Sequence, residues 1–459
     1  MVADFDNPIG LLGSLCRSDR ILRNIDRKRG HNAMKLSIRR GHWGLAAVLV
    51  AACAAAGCSQ SASTSGTSAT KTTITEEDYF NTPGQIAALA AYSKAFEAAH
   101  PGVTVKRQYV PFADLDAKLL TQAAGQDLPN LLAVDNPFVS TMISTSQVVP
   151  ISGLSGFSTT GYYPAVIDEG LSGGKYYSLP VAGANSIALI YNIAMFKAAN
   201  LTPPKTWADL VSDAKSLTTS AHYGIALTCE PAEDTTWQWE PFFWSNGGAA
   251  TFSNVSGAPG VQALTLWSQL VSDGSASKSC LSWSQTPAAS TQFIDGKAAM
   301  MVNGPWNFPT MNQANQFYGK QFGVVPIPTR VAGEHVVVPL GGEDWMVSKS
   351  GGSAAQQLAF DYIQGMQTPA MELQLAKLFG YLPAKTSVAQ TYLTQAGPEW
   401  SVYVNQTLFA HPRTLGLGVK YPKISQAVWT AIQAALSGSQ SVQAALNTAQ
   451  SQINTTLTG

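Results

Sequence analysis

The sequence predicts an α/β protein in which strands and helices alternate around a mostly parallel sheet. Three observations carry this prediction: a strand–helix rhythm over residues 72–134, apolar strand-like runs in the middle of the chain, and a largely helical pattern from about residue 353. The chain has 459 residues, of which 45% are hydrophobic, so it is long enough for two or three domains with ample core.

The first five elements are strand, helix, strand, helix and strand, at 72–75, 86–100, 103–110, 115–124 and 131–134. Apolar residues recur at helical spacing in the first helix, and Pro101-Gly102 end it. Ligands of such sheets bind beyond the carboxyl ends of strands. The loops at 79–81 and 135–136 are therefore the first candidates for ligand contact.

The later elements are more widely spaced. Strands are predicted at 186–191, 298–302 and 336–340, and helices at 207–217, 259–272 and 442–457. Trp237 and Trp239 flank Gln238 in a stretch that we interpret as extended, which would turn both indole rings to the same side.

Residues 34–57 have the layout of a secretory signal, with basic side chains, a short apolar run and a small-residue stretch that ends at Cys58. The apolar run is too short to span a bilayer comfortably. We therefore predict a bacterial lipoprotein signal, in which Cys58 becomes the lipidated first residue of a protein attached to the outer face of the cell membrane. The alternative is an uncleaved membrane anchor.

Two segments flank this signal. Residues 1–33 form an N-terminal extension, and its expression depends on whether translation starts at Met1 or at Met34. Residues 58–70 are rich in Ser and Thr and cannot bury a core, so they are predicted to be a flexible tether. Ordered structure is expected from Lys71 onward.

The charge is unevenly distributed. Residues 1–57 hold nine Lys and Arg against four Asp and Glu, which leaves 19 against 24 for the rest of the chain. This exported body is mildly acidic and has three arginines, at 107, 330 and 413. It is therefore a poor candidate for binding nucleic acid, whereas its charge is compatible with binding neutral or cationic small ligands.

Cys229 and Cys280 are the two cysteines that follow the predicted lipidation point. In an oxidising compartment they favour one disulfide, and two separate buried thiols are the alternative. Neither Cys-x-x-Cys nor His-x-x-x-His spacing occurs, so no metal or other cofactor is predicted.

Several blocks, taken in order, resemble the bacterial extracellular solute-binding proteins of sugar ABC importers, the family that includes the maltose-binding protein. They lie at 96–105, 179–180, 189–192, 203–210, 293–306, 341–342 and 380–383, and include the turn Gly304-Pro305-Trp306. The resemblance covers roughly residues 72–457.

The resemblance implies a periplasmic-binding-protein-like fold, in which two α/β lobes are joined by a hinge of several crossings with the ligand cleft between them. We expect lobe 1 to comprise 71–184 and 338–385, and lobe 2 to comprise 185–337 and 386–459. The crossings are expected near 181–187 and 336–342. The implied function is to capture a mono- or oligosaccharide by lobe closure, as a monomer without catalysis, and to deliver it to ABC-transporter permease subunits.

A neutral sugar needs flat aromatic rings for its C–H faces and fixed carboxylates or amides for its hydroxyls. The resemblance implies that Trp306 stacks on the sugar and that Arg413 faces the cleft. It also implies binding positions at Asp135 and Asn136, which follow a predicted strand, and at Asn185, which lies shortly before the 189–192 block. From the residues themselves we add Trp237 and Trp239, the group Gly342, Glu343, Asp344 and Trp345 at a crossing, and, more weakly, Phe80 and Asn81.

Structural roles are open for the same residues. Trp237 and Trp239 are alternatively core residues. Trp306 is alternatively a hydrophobic side chain that covers its own turn, and Asp135 is alternatively the N-cap of a helix. Glu343 and Asp344 are alternatively a solvated hinge, and Arg413 the partner of a surface carboxylate.

Two other functions are weighed. An exported carbohydrate-active enzyme needs two carboxylates that flank a bond at a defined separation, and adjacent residues do not establish such a pair. A solute-binding protein for a phosphodiester or a peptide is the other alternative. A phosphate ligand would favour clustered arginines or a helix N-terminus, and the three arginines of the body are far apart in sequence.

Overall fold

A computed structural model describes residues 71–459 of the chain, apart from residues 396, 408 and 415. The extension at 1–33, the signal at 34–57, Cys58 and the tether to residue 70 lie outside the described residues. None of the described helices combines the length and the apolar character that a membrane span requires.

The strands are β1 (Thr72–Asp78), β2 (Val103–Tyr109), β3 (Leu131–Asp135), β4 (Leu171–Ser172), β5 (Lys175–Tyr176), β6 (Ser178–Pro180), β7 (Ala188–Asn192), β8 (Met300–Asn303), β9 (Phe322–Val325), β10 (Pro339–Leu340), β11 (Glu343–Val347) and β12 (His411–Pro412).

The α-helices are α1 (Pro83–Ala99), α2 (Phe112–Gly125), α3 (Asn136–Ser144), α4 (Pro164–Ile167), α5 (Ile193–Ala198), α6 (Trp207–Leu217), α7 (Glu233–Trp244), α8 (Ala258–Ser272), α9 (Ser290–Ile294), α10 (Phe308–Gln313), α11 (Gly352–Met366), α12 (Pro369–Phe379), α13 (Thr386–Gln395), α14 (Glu399–Thr407), α15 (Tyr421–Ser437) and α16 (Val442–Thr458).

The first sheet has the strand order β2-β1-β3-β11-β6. β1 is parallel to β2 and β3, as the strand–helix rhythm predicts, whereas β11 is antiparallel to both β3 and β6. The prediction of a mostly parallel sheet therefore holds only for the first three strands. β11 enters directly from the second sheet, and no crossover helix intervenes to give it the direction of its neighbours.

Both faces of the first sheet are covered. Along β3, Leu131 and Ala133 join the apolar cluster that includes α1 and α11, while Leu132 and Val134 join the one that includes α2 and α3. This division follows from the two-residue period of a strand. A strand buried on both faces is apolar at every position, as the 131–134 run is.

The second sheet is antiparallel throughout, with the order β8-β7-β9. Leu189 of β7 belongs to the large cluster formed with α6, α7, α8, α15 and α16, and Ile190 belongs to a cluster on the opposite face. Each sheet thus has its own core, as expected for an α/β fold of two lobes.

Three chain segments connect the two sheets and pair with one another. Ala184 exchanges backbone hydrogen bonds with Leu382 at 2.8 and 2.7 Å, and Asn185 exchanges them with Gly341 at 2.7 and 3.0 Å. These crossing segments lie at 181–187 between β6 and β7, at 326–342 between β9 and β11, and at 380–385 between α12 and α13. The first is the predicted crossing, the second contains the predicted crossing at 336–342, and the third runs through the Gly-Tyr-Leu-Pro block.

The segment around Trp237 and Trp239 is helical, so the interpretation as an extended stretch is wrong. These residues lie in α7, in which every residue from Thr235 to Trp244 is buried. A helix buried on all sides carries no apolar period, and the alternation Trp-Gln-Trp was therefore not informative. The predicted strand at 336–340 is also shorter, because only Pro339–Leu340 pair as β10.

Candidate functional site

Arg413 lies at the centre of the polar region between the two sheets. β12 runs parallel to β10, with Leu340 opposite Pro412, which places Arg413 beside the second crossing segment. The Arg413 side chain donates to both carboxylate oxygens of Asp135, at 2.6 and 2.9 Å, and to Glu233 Oε1 at 2.9 Å. Since Asp135 ends β3 of the first sheet and Glu233 begins α7, one buried guanidinium joins the two halves.

Trp237 packs against this cation. The guanidinium carbon of Arg413 lies 4.5 Å from the centre of the indole ring. A Cβ atom on Gly341 would come within 2.5 Å of both the Trp237 ring and Asn185 Oδ1, so only glycine fits there. Trp237 and Asn185 are thereby held against the crossing segments, at the place where the two sheets are connected.

Asp344 is the acceptor of a buried polar network in the first sheet. Ser178 Oγ donates to Asp344 Oδ1 at 3.0 Å, and Asn136 Nδ2 donates to Asp344 Oδ2. Burial raises the pKa of Asp344 to about 7, although these two donors lower it in part. Both oxygens are therefore occupied by protein donors, which makes Asp344 a residue that positions Asn136 at the start of α3.

Glu343 stands on the neighbouring position of β11, directly opposite Asp135 in the antiparallel register. Residues opposite one another on adjacent strands share a face, so the two carboxylates are neighbours. Tyr79 Oη donates to Glu343 Oε1, while Oε2 is buried without a hydrogen-bond partner. Burial raises the pKa of Glu343 to about 7, and the charge of Asp135 adds to that rise.

Trp306 is an aromatic side chain that packs against both halves. It is half-buried and packs against the cluster of the first sheet and against the large cluster of the second. Its Nε1 donates to Thr286 Oγ1 at 3.4 Å. Gly380 ends α12 with φ 73° at a point where a Cβ would lie 2.5 Å from Pro305 O, so the third crossing segment approaches the Trp306 turn closely.

Three predicted ligand contacts are corrected by the structure. Phe80, Trp239 and Trp345 are 2%, 0% and 0% exposed and lie inside the cores. Phe80 packs edge-on against Trp345 and Phe379, and Trp239 stacks on Phe243 with ring centres 5.1 Å apart. The side chain at the end of β1 that reaches the polar region is Tyr79, next to the predicted Phe80.

The remaining predicted residues are placed as follows. Asn81 is exposed, and its Nδ2 donates to Tyr109 Oη at 3.4 Å. Gly342 has φ 150°, and its carbonyl accepts from Asn136 N at 3.1 Å. Asp135 precedes α3 but makes no capping hydrogen bond, because its oxygens are taken by Arg413.

Cys229 and Cys280 are joined in a disulfide with their Cα atoms 4.9 Å apart. Both sulfurs lie in the large core of the second sheet. This bridge ties the loop before α7 to the turn after α8.

Sequence reasoning missed Glu233, Tyr421 and Ser425. Glu233 accepts from Tyr421 Oη at 2.7 Å and from Ser425 Oγ, and Tyr421 Oη also lies 2.9 Å from Glu240 Oε1. The acidic pair at 233–234 opens a helix, as acidic residues often do, but nothing local connects it with Arg413. Tyr381 lies in a block that was recognised for its family resemblance and not for its chemistry.

Burial disfavours charge throughout this region. Burial raises the pKa of Asp116 to about 7, and the charges of Asp135 and Glu233 add to the rise. Burial likewise raises the pKa of Glu169 to about 7, with a further contribution from Asp344. Burial also disfavours the Arg413 charge, but the two bound carboxylates outweigh it and hold the Arg413 pKa well above its ordinary value.

The space between the crossing segments is narrow. It is lined by Asn136, Val166, Glu169, Pro180, Gly183, Ala184, Leu340 and Gly341, and leaves no room for a water-sized sphere. Glu169 Oε2 accepts from Thr414 Oγ1 at 3.2 Å, while Oε1 has no partner. Among the described residues, no group of three or more His, Cys, Asp or Glu side chains is arranged to hold a metal ion.

Comparison with known proteins gives a family and a fold. The profile of the bacterial extracellular solute-binding proteins matches residues 91–402. A putative binding protein of Brucella abortus is 26% identical over 255 residues, which is 52% of this chain and 59% of that protein. A maltodextrin-binding protein of Bacillus subtilis is 25% identical over 302 residues, or 60% of this chain and 66% of that protein. The chain thus spans about 59% of the length of the Brucella relatives it matches.

Solved structures share the architecture. A solute-binding protein of an ABC transporter from Thermotoga lettingae, bound with α-D-tagatose, superimposes with a TM-score of 0.74 at 22% identity, covering 85% of this chain and 100% of that one. The GacH receptor of Streptomyces glaucescens, solved unliganded and with acarbose, gives 0.74 at 23% identity over 84% and 99%. These likenesses confirm the predicted periplasmic-binding-protein-like fold.

Proposed function

The chain belongs to the bacterial extracellular solute-binding protein family, and on that premise we propose that it captures a mono- or oligosaccharide between its two halves for an ABC importer. One observation carries the proposal. A half-buried indole, Trp306, packs against the cores of both sheets, and both sheets also contribute to one polar region through Asp135, Glu233 and Arg413. Its relatives named above are binding proteins, and no catalytic role is proposed.

The chemistry of the region suits a sugar. The face of Trp306 offers an apolar plane for C–H groups, and the amides and carboxylates of the polar region offer acceptors and donors for hydroxyls. Glu343 has an oxygen without a partner, and Asn185 is held beside Gly341 at the crossing segments. Charge-assisted hydrogen bonds from sugar hydroxyls to such carboxylates are stronger than neutral ones.

We infer that the halves separate for a ligand to enter, because the Arg413 bridge holds Asp135 and Glu233 together in this arrangement. We assign 71–184 with 338–385 to lobe 1 and 185–337 with 386–459 to lobe 2. The crossing segments then act as the hinge. Arg413, bonded to Asp135 of lobe 1 and Glu233 of lobe 2, favours the closed arrangement.

The location follows the predicted signal. In this proposal Cys58 is lipidated and the protein is held as a monomer at the outer face of the membrane, where it delivers its ligand to permease subunits. Cys58→Ala should release the protein from the membrane fraction into the medium. Unchanged membrane association of that variant would contradict the lipid anchor.

The test of the function is a thermal shift assay of the protein from residue 59 onward against mono- and oligosaccharides. A true ligand raises the melting temperature because it binds the folded state and not the unfolded state. A panel in which no sugar shifts the melting temperature contradicts the proposal. Release of reducing sugar during the incubation would instead indicate an exported carbohydrate-active enzyme.

A further inference from the structure

We propose that the sugar bound by this protein is an amino sugar, whose protonated amine is received by a group of buried and half-buried carboxylates around Glu343. The inference rests on the proposed function and names its ligand class. The acidic cluster is defined by its members, Asp116, Asp135, Glu169, Glu233, Glu343 and Asp344.

The charges of the acidic cluster are not balanced by the protein. Within the described part of the chain, Arg413 is the one Lys or Arg side chain within 4.0 Å of any member, and it binds Asp135 and Glu233. The other members have no ion-pair partner at that distance among the described residues. A ligand that enters this region therefore meets an excess of negative charge in a site of low dielectric constant.

Glu343 supplies the independent sign of a ligand. The residue is 6% exposed, and its Oε1 is occupied by Tyr79, yet its Oε2 accepts no hydrogen bond. A buried carboxylate oxygen without a partner is unfavourable by desolvation and is rare in native proteins. Its position opposite Asp135 in the strand register aims it at the polar region that Arg413 occupies from the other half.

Glu169 repeats this arrangement in the lining of the narrow space. Thr414 donates to its Oε2, while Oε1 is buried without a partner in the lining of that space. Glu343 and Glu169 thus leave one acceptor each. An ammonium group has three donors and a full positive charge, so it can satisfy such acceptors in a way that neutral hydroxyls cannot.

Titration gives the proposal a second readout. Four side chains face Glu343, namely Asp135, Tyr381, Tyr79 and Arg413. Burial and the charge of Asp135 raise the Glu343 pKa to about 7, while Tyr381, Tyr79 and Arg413 lower it in part. Near pH 7 the carboxyl group is therefore partly protonated. A bound amine requires the ionised form, so its binding releases protons and weakens as the pH falls from 7 to 5.5.

The experiment compares sugars that differ only at C2. Binding of glucosamine, N-acetylglucosamine and glucose, and of the corresponding β-1,4-linked disaccharides, is measured by isothermal titration calorimetry at pH 7.0 and 5.5. We expect the free amines to bind about tenfold to hundredfold more tightly than the acetylated and hydroxyl forms, the range expected for hydrogen bonds to charged groups. Titrations in two buffers of different ionisation heat should show proton release for the amines alone.

The variants separate the roles. Glu343→Gln should lose about tenfold or more of the affinity for the amine, a larger loss than for any neutral sugar that binds, and Glu169→Gln provides a second test should the first variant fail to fold. Glu334→Gln, at an exposed position, is the matched control and should change nothing.

The outcomes are distinguishable. Equal or tighter binding of the neutral sugars overturns the amino-sugar inference and leaves the proposed function supported. Binding of no sugar in either series counts against both. Tight binding of putrescine, an amine without a sugar ring, would contradict the proposal that the ligand is a sugar and would show that the site selects organic cations.

Discussion

Arg413 lies over the face of Trp237, with its guanidinium carbon 4.5 Å from the centre of the ring. A ring face covered by a cation is not available to a sugar in this arrangement. The contact also adds to the binding of the cation, because a desolvated cation–π interaction contributes about 2 kcal/mol. Trp237 therefore holds Arg413 in place, and Arg413 in turn joins Asp135 to Glu233.

Arg413→Met should destabilise the protein by about 3 kcal/mol, because it leaves two partly buried carboxylates without their buried cation. The loss should be larger at pH 8 than at pH 5.5. Burial raises the pKa of Glu233 and Arg413 lowers it in part, so in the variant the Glu233 pKa rises further and stability falls as the pH rises. Urea unfolding at both pH values measures the effect.

The control for this variant is Arg330→Met. Arg330 is exposed and bonds Asn246 Oδ1 at 2.7 Å, so its replacement should change stability by no more than about 0.5 kcal/mol. A loss for Arg413→Met as small as that of the control would show that the guanidinium bridge contributes little.

Trp306→Ala should reduce the binding free energy for the true sugar by about 2 kcal/mol, the effect expected of a buried aromatic anchor in a binding site. The matched core variant is Trp239→Phe, which alters a fully buried ring away from the polar region. It should lower the melting temperature of the free protein and leave the ligand-induced shift intact. Calorimetric titration of both variants decides, and full affinity in Trp306→Ala would refute the assigned stacking.

Glu76→Gln should stabilise the protein at pH 8 and have little effect at pH 5. Glu76 is fully buried in β1, and burial, together with the charge of Asp78, raises its pKa to about 8. Between its ordinary pKa and pH 8, the folded state binds more protons at this site than the unfolded state does. The contribution of Glu76 is therefore most favourable at low pH and is lost as the pH rises through about 8.

The measurement is chemical unfolding of wild type and variant from pH 5 to 9. The variant should show a flatter pH dependence of the free energy of unfolding. Asp127→Asn, at an exposed position, serves as the control. Parallel pH profiles for wild type and Glu76→Gln would contradict the assignment.

Replacing both Cys229 and Cys280 by Ala should lower the free energy of unfolding by about 2–4 kcal/mol, since the disulfide restricts the unfolded chain over a separation of 51 residues. Dithiothreitol should reproduce the loss in wild type and have no effect on the double variant. Equal unfolding midpoints for wild type with and without reductant would argue against the bridge.

Small-angle scattering tests the opening of the halves. The radius of gyration in solution should be larger without ligand than with a bound sugar, because the proposed hinge motion closes the halves around the ligand. Arg413→Met should increase it further in the absence of ligand, since it removes the contact between Asp135 and Glu233. A radius that does not change on binding would contradict hinge closure.

Local signals were sufficient for most helices and strands. α1 begins after Thr82, which caps it in a reciprocal pair with Gln85, and α6 begins in the same way after Thr206. Such boundaries depend on residues within four positions of each other, so the sequence carries them directly. The predicted helices at 86–100, 207–217, 259–272 and 442–457 accordingly match α1, α6, α8 and α16 closely.

The sequence by itself determined the α/β character, the first crossing segments and the polar stretches from which a site could be built. Only the tertiary structure decided which of those side chains meet. Tyr79 rather than Phe80 reaches the polar region, and Arg413 pairs with Asp135 across 278 positions of sequence. The physical reason is that helices and strands arise from neighbours along the chain, whereas a site arises from packing between segments whose separation leaves no local pattern.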